Sequence, residues 1–299
     1  MNDQHAKGPI ARRVLDTLRR QLRLKVTDLA AFRAGREYAE TLQRTVTPSE
    51  ALAETHPAHA LYILAQNQMS VMAEQLLRMP EMKSFAKQIG IAEDAYMPSW
   101  PPMSPISTSY FVCWSTFDLP IGARRETVGT VTIAVAKECG SHPKLVALMQ
   151  LLQDSRMGLY QVARQDGMPV HLRDLATGNA LQAVCPSGYA GRVGEIWYAR
   201  VLPPPMPDTE HVVFTSPYVL IAPDTQGWLD YLDRIAPAAA HTPRADTLEQ
   251  HLKWGPAPRY WPEFVFEAYS RHQPGAIFLY GLPDVAETRP HSSTFRSPG

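Results

Sequence analysis

Five charged side chains lie beside the ends of predicted β-strands in the middle of the chain: Arg156, Arg173, Asp174, Glu195 and Arg200. An arginine offers a planar fork of N–H donors that fits a carboxylate or a phosphate, and a neighbouring carboxylate can hold this fork in place. These five side chains are therefore the predicted binding residues. The expected ligand is a polar molecule or a partner protein of unknown identity.

The same charges fit two further roles, one structural and one catalytic. An aspartate after a strand often caps its own turn, and Arg–Glu pairs on neighbouring strands are frequent cross-strand partners. A hydrolase that uses carboxylates and arginines near Asp154, Asp174 and Glu195 is the alternative function, because convergent catalysis needs no sequence signature. Clustering of these groups around a deep pocket would favour the hydrolase, whereas dispersal over the surface would favour binding.

The sequence lacks the common enzyme signatures. It has no Gly-x-Ser-x-Gly elbow, no phosphate loop ending in Gly-Lys-Ser/Thr, no His-Glu-x-x-His and no Gly-x-Gly-x-x-Gly after a strand. His56 and His59 have a spacing that suits a metal, but no third ligand is near them, and the three cysteines are too scattered for a zinc site or a disulfide framework. We therefore predict no metal and no cofactor, and we leave open whether the protein is an enzyme.

The overall charge is balanced, since Lys and Arg together number 29, as do Asp and Glu. It therefore gives no general attraction to nucleic acid or to an acidic membrane. The exception is residues 1–46, where ten basic residues face five acidic ones. The spacing of Ile10, Val14, Leu18 and Leu22 predicts an amphipathic helix here, with its arginines exposed. Nucleic-acid binding through this helix is a third hypothesis, although arginines alone are not a recognition motif.

Helices are also predicted over residues 58–79 and 143–156, and in TQGWLDYLDRIA, RADTLEQHLKW and PEFVFEAYSRH after Pro223. The proline-rich stretch MPSWPPMSP, residues 97–105, is expected to be an extended connector. Residues 108–119 and 127–136 have the aromatic and β-branched content of buried strands.

From residue 158 to residue 221, short alternating segments follow one another with turn residues between them. Five such strands are enough to close a small barrel. In the fourth strand, alternation sends Trp197 and Tyr198 to opposite faces, and only one of them is expected in the core.

The predicted fold class is α+β, with an N-terminal helical region, a central small β-barrel-like module of about five strands, and C-terminal helices. The expected segments are a helical region over 1–96, a connector with strands and a helix over 97–157, the β-barrel-like module over 158–222, and a helical region with a tail over 223–299.

Several phrases resemble, in order, a group of uncharacterised bacterial proteins that share a small β-barrel-like module: WSTFDL, DSRMGLYQV, HLRDLATG, PSGYAGRVGEIWYARVLPPP and FTSPYVL. EDAYMPSWPPMSPIS and FLYGLPD extend the resemblance to residues 93–285. Some relatives of the module carry a cysteine-rich SEC-C zinc motif, which this chain lacks, so the resemblance implies no zinc here. It also transfers no catalytic residue, because the group has no assigned chemistry.

The first hypothesis for function is a non-catalytic binding or adaptor protein of unknown pathway. Neither a signal-peptide core nor a run of about 18 apolar residues occurs in the sequence. With the few cysteines, this favours a cytoplasmic protein that makes no membrane contact.

Overall fold

The computed structural model describes residues 8–23, 37, 57–96, 110–167, 169–204, 209–237, 244–255, 269–273 and 275–279. Two compact units divide the chain. The first combines Met1–Gln88 with Pro120–Gln153, and the second combines Ile89–Leu119 with Asp154–Gly299. The segment boundaries expected from the sequence remain predictions.

The helices before the barrel are α1 (Pro9–Arg23), α2 (Pro57–Leu77), α3 (Lys83–Tyr96), α4 (Val128–Glu138) and α5 (Pro143–Asp154), with a 3-10 turn at Pro80–Met82. The helices predicted from periodicity at α1, α2 and α5 are confirmed. In α1, Ile10 and Val14 are buried while Arg12 and Arg13 on the other face are exposed, as the amphipathic pattern requires.

Both strands predicted in the connector are wrong. Residues 110–113 are helical and continue into a π-helical turn, Trp114–Asp118, and residues 128–138 form α4. A capping box starts α4, because Thr127 and Thr130 each accept a hydrogen bond from the other's backbone N–H. Most of α4 is buried, so its β-branched residues reflect burial and not an extended backbone. The MPSWPPMSP connector lies outside the described residues.

A carboxylate from a distant part of the chain caps α1. The backbone N–H groups of Ile10 and Ala11 donate to the two carboxylate oxygens of Glu126, over 3.0 and 2.9 Å. Free N–H groups at a helix start favour such an anion. Gly8 makes the approach possible, because a Cβ atom there would lie 2.1 Å from the Glu126 carboxyl carbon.

The central strands are β1 (Met157–Gln165), β2 (Val170–Asp174), β3 (Ala180–Val184), β4 (Ile196–Leu202), β5 (His211–Val213) and β6 (Tyr218–Leu220). Pairing in the order β1-β2-β3-β5-β4 returns to β1 and closes a five-stranded barrel. All these pairs are antiparallel except β3 with β5. The α+β class and the small central barrel are thus confirmed.

The sheet continues from the barrel through β6, β8 (Ala276–Leu279) and β7 (Tyr269–Gln273). The single strand predicted over 211–221 is therefore two strands, β5 and β6, with different neighbours. The helix predicted for PEFVFEAYSRH is wrong where the structure describes it, since residues 269–272 lie in β7 and pair with β8. The other two helices predicted after Pro223 are confirmed as α6 (Thr225–Ile235) and α7 (Arg244–Trp254).

Both faces of β4 are buried. Trp197 lies in the barrel interior, and Tyr198 lies on the outer face beneath helical residues that include Tyr110 and Trp228. Their exposed fractions are 0% and 1%. The expectation that only one of the two belongs to the core is wrong, because helices cover the outer face that a solvated barrel would expose. No described helix has both the length and the apolar character to span a membrane.

Candidate binding site at the barrel mouth

One mouth of the barrel opens into a cleft of about 510 Å³. Strands β1, β3 and β5 begin at this mouth, whereas β2 and β4 end there. Polar side chains on its wall include Asp154, Ser155, Arg156, Tyr160, Asp174, His211 and Glu249. We call this cleft the mouth cleft.

Arg156 is held from three sides on the wall of the mouth cleft. Its Nε donates to Glu249, its Nη2 donates to Asp174 over 3.4 Å, and its Nη1 donates to the carbonyl of Met157 over 3.2 Å. Burial alone would lower the pKa of Arg156, but Tyr160, Glu249 and Asp174 outweigh it and raise this pKa above its ordinary value. The guanidinium is therefore charged, and three of its five N–H donors are engaged by protein acceptors.

The turn after β2 orients Asp174. Its Oδ1 accepts a hydrogen bond of 2.8 Å from the backbone N–H of Ala176, which leaves Oδ2 for Arg156. The sequence expectation that an aspartate here caps its own turn is thus correct, and the same carboxylate also faces the cleft.

Tyr160 has an apolar environment at its ring and a polar one at its hydroxyl. The ring belongs to the barrel core, and the residue, 5% exposed, also lines the mouth cleft. A Cβ atom at Gly158 would lie 2.7 Å from both the Tyr160 hydroxyl and Arg156 Nη1, so the missing side chain leaves room for both groups. Burial raises the pKa of Tyr160 above its ordinary value, so the hydroxyl keeps its proton near pH 7.

His211, at the start of β5, is half-buried and also lines the mouth cleft. Burial lowers its pKa, although a backbone hydrogen bond opposes this shift. The imidazole is therefore mainly neutral near pH 7 and can act as donor or acceptor.

A second charge cluster is buried behind the wall of the mouth cleft. Arg200 Nη1 donates to the carbonyl and the hydroxyl of Ser155, over 3.0 and 2.9 Å, and Nη2 donates to Asp118. Lys253 Nζ donates to the same Ser155 carbonyl over 2.6 Å and lies 2.9 Å from Asp118 Oδ1. Burial lowers the pKa of Lys253, while Asp118 opposes this shift. We call these groups the buried charge cluster.

The structure brings together only part of the predicted binding set. Arg156 and Asp174 meet at the mouth cleft, but Arg173 is exposed on the outside of β2. Arg200 points away from the barrel interior into the buried charge cluster. Glu195 lies at the opposite end of the barrel, where it accepts hydrogen bonds from Tyr189 and Trp197.

Three charged residues that complete these clusters, Asp118, Glu249 and Lys253, were not predicted from the sequence. Asp118 falls in a segment predicted as a strand, and the other two lie on α7, whose docking site the periodicity did not reveal. An available signal was the position of Arg200 on an apolar strand, since a buried arginine requires a carboxylate partner.

The other candidate sites were a metal site at His56 and His59 and a nucleic-acid surface on α1. Across the described parts of the chain, no group of three or more His, Cys, Asp or Glu side chains could hold a metal, and His56 lies outside those parts. On α1, Arg12, Arg13 and Arg23 are exposed, whereas Arg19 forms an ion pair with Glu138.

The chain matches no family model, no curated protein and no solved structure. The resemblance to bacterial proteins with a shared module therefore stays a prediction.

Proposed function

We propose that this chain is a non-catalytic binding protein that holds a polar ligand, or a polar group of a partner protein, at the mouth of its barrel. The observation that carries the proposal is the fixed Arg156 with its two carboxylates on the wall of a cleft of about 510 Å³. Small-molecule pockets often lie at barrel mouths and measure about 300–1,000 Å³.

The geometry favours binding over the hydrolase alternative. That alternative requires Asp154, Asp174 and Glu195 to act around one pocket, but Glu195 lies at the other end of the barrel. Asp174 and Glu249 each accept a hydrogen bond from Arg156, so both carboxylates are engaged in ion pairs. A site of paired, immobile charges is suited to orienting a ligand.

The rest of the proposal comes from the sequence. The three cysteines and the resemblance support a cytoplasmic, bacterial binding module.

An occluding substitution tests the proposed function. Ala180 is exposed at the start of β3 and lines the mouth cleft, so Ala180→Trp fills the cleft without removing a charge. Ala190→Trp is the matched control, because Ala190 is also exposed but lies in the loop before Glu195 at the opposite end. Each protein is incubated with the small-molecule fraction of a bacterial extract, desalted, and examined by native mass spectrometry.

We expect the unchanged protein and Ala190→Trp to retain a ligand that Ala180→Trp loses. Equal retention by all three proteins would contradict the mouth cleft as the binding site. Circular dichroism spectra and melting temperatures confirm that both variants are folded before retention is compared.

A further inference from the structure

We infer that the ligand of the mouth cleft is an organic carboxylate with a short apolar tail, and that its carboxylate takes the place of Glu249 on Arg156. This inference rests on the proposed function and adds the chemical class of the ligand. It starts from the unequal exposure of the two side chains in this ion pair, since Arg156 is 10% exposed and Glu249 is 51% exposed.

Arg156 is oriented for a carboxylate by groups other than Glu249. Asp174 and the carbonyl of Met157 hold two of its nitrogens, and neither contact depends on Glu249. Glu249 makes a single hydrogen bond, to Nε. Two of the five N–H donors have no acceptor among the residues that the structure describes. Departure of Glu249 therefore leaves three N–H donors for a ligand, enough to bind both oxygens of a carboxylate.

Of the two carboxylates on Arg156, Glu249 is the one that a ligand can replace. Asp174 is 10% exposed and also accepts from the backbone N–H of Ala176. Glu249 lies on α7 with half of its side chain in water, and an ion pair with such an exposed partner contributes little net stability. Its carboxylate can turn into solvent while Leu248 and Leu252, both buried, keep α7 in place.

This replacement conserves the charge around Arg156. One carboxylate leaves and another arrives, so the guanidinium faces Asp174 and one further carboxylate before and after binding. At the same place, a phosphate dianion would add a second negative charge beside Asp174, and an ammonium group would be repelled by the guanidinium. The local charge thus favours a monoanion.

The lining of the mouth cleft also explains the apolar tail. Ala180, Leu181, Val201 and Pro203 line the cleft together with its polar groups. A molecule with a carboxylate at one end and a hydrocarbon chain at the other can therefore contact both kinds of surface.

Tyr160 supplies a further donor at the carboxylate end. Its hydroxyl and Arg156 Nη1 both lie 2.7 Å from the position that a Cβ atom at Gly158 would occupy. The protonated hydroxyl can donate to a carboxylate bound beside Arg156.

Probes with one alkyl chain and different head groups test the ligand class. They are n-butyrate, n-butylammonium and n-butanol, each titrated at pH 7 and matched ionic strength and followed by saturation-transfer NMR. Acetate and inorganic phosphate test the tail and the head group. We expect butyrate to bind, up to roughly tenfold more tightly than acetate if its two additional CH₂ groups are buried. Binding should be lost in Ala180→Trp and kept in Ala190→Trp.

The carboxylate could belong to a free acid or to the chain end of a partner protein. N-acetyl-trivaline, which carries a free terminal carboxylate, is titrated beside its C-terminal amide. Tighter binding of this peptide than of butyrate would assign the carboxylate to a chain end, and the reverse would assign it to a free acid.

Glu249→Gln tests the replacement itself. Glutamine removes the competing carboxylate, so butyrate should bind more tightly, by up to about fivefold. Asp246→Asn, on the same helix but outside the cleft lining, should leave binding unchanged. A cationic ligand would respond to Glu249→Gln in the opposite direction, because it would lose an attractive charge.

Arg156→Lys tests the donor fork. Lysine keeps the charge but loses the paired donors, so butyrate binding should weaken about tenfold. Arg192→Lys, at an exposed position near the opposite end of the barrel, is the matched control. If Arg156→Lys does not fold, the gain expected in Glu249→Gln still decides, since Glu249 is exposed and its replacement leaves the core intact.

Each outcome decides between the two proposals. Butyrate binding that survives Ala180→Trp, or that does not improve in Glu249→Gln, would overturn the inference. Equal affinities for acetate and butyrate would overturn the apolar tail. If only butylammonium, butanol or phosphate binds, or if no probe binds while Ala180→Trp still loses a molecule retained from the extract, the inference fails and the mouth cleft remains a binding site. If Ala180→Trp affects neither the probes nor the retained molecules, the proposed function fails as well.

Discussion

Replacement of Asp118 by asparagine tests how the buried charge cluster stabilises the second unit. Asp118 is 5% exposed, and its carboxylate faces both Arg200 and Lys253, which are 0% and 9% exposed. Asparagine keeps the shape of the side chain and removes the charge. The two cations then share a buried site without the carboxylate that balanced them.

The expected cost of Asp118→Asn is about 3–5 kcal/mol of unfolding free energy, the usual penalty for removing one partner of a buried ion pair. The asparagine carbonyl still accepts one hydrogen bond, so the lower end of this range is more reasonable than the upper. For a unit of this size, each kcal/mol lowers the melting temperature by about 2–4 °C. The melting temperature should therefore fall by at least about 6 °C.

Urea unfolding followed by tryptophan fluorescence measures this loss, because Trp114 and Trp228 are buried in the same unit. Asp94→Asn, at an exposed position on α3, is the matched control and should change stability by less than about 0.5 kcal/mol. The triple variant Asp118→Leu, Arg200→Met, Lys253→Met removes all three charges and should recover much of the lost stability.

A loss below about 1 kcal/mol for Asp118→Asn would refute the reasoning that the cations depend on this carboxylate. A triple variant that is as unstable as Asp118→Asn would show that packing, and not charge, causes the loss.

Three further predictions concern the pH dependence set by Lys253, the packing of Trp197 and Tyr198, and the reactivity of two cysteines. Burial lowers the pKa of Lys253 in the folded state. Between this lowered pKa and the unfolded value of about 10.4, the unfolded chain binds more protons than the folded protein. The free energy of unfolding therefore rises with pH in this range. The unchanged protein should therefore gain stability relative to Lys253→Met as the pH rises towards about 10.4, and a constant difference in urea titrations would contradict this. Trp197→Ala and Tyr198→Ala should each cost about 3–5 kcal/mol, and a near-normal melting temperature for either would show that its face of β4 is not well packed. Exposed Cys139 should react with a thiol reagent in the native protein, whereas Cys113, whose pKa burial raises to about 12, should react only after unfolding; prompt labelling of Cys113 in a peptide map would be the opposite result.

Local sequence signals were sufficient for the barrel strands. Alternating residues and the turns between them are set within about ten residues, and the predicted strands from 158 to 202 agree with β1–β4. The same signals failed for residues 110–118 and 128–138, where aromatic and β-branched residues mark burial in helices. Composition reports how buried a segment is more reliably than which backbone it adopts.

Strand pairing explains which of the predicted binding residues meet at the mouth cleft. Strands β1 and β4 are antiparallel, with Met157 opposite Arg200, so Glu195 at the start of β4 lies at the other end from Arg156. Arg200 is at the correct end, but alternation directs it away from the barrel interior. The pairing of Arg156 with Asp174 was predictable because the start of β1 and the end of β2 share one mouth. The contributions of α7 depend on tertiary packing, which single-sequence patterns do not contain.

The long sequence separation between α1 and its cap also affects when this helix can complete its folding during synthesis. Glu126 follows Ile10 by 116 residues. A ribosome that adds about 5–20 residues per second needs roughly 6–23 s to cover this interval. Throughout that time the nascent α1 lacks the carboxylate that satisfies its first N–H groups in the folded protein. Completion of this unit therefore waits for translation past residue 126, and a fragment that ends earlier would carry α1 without its cap.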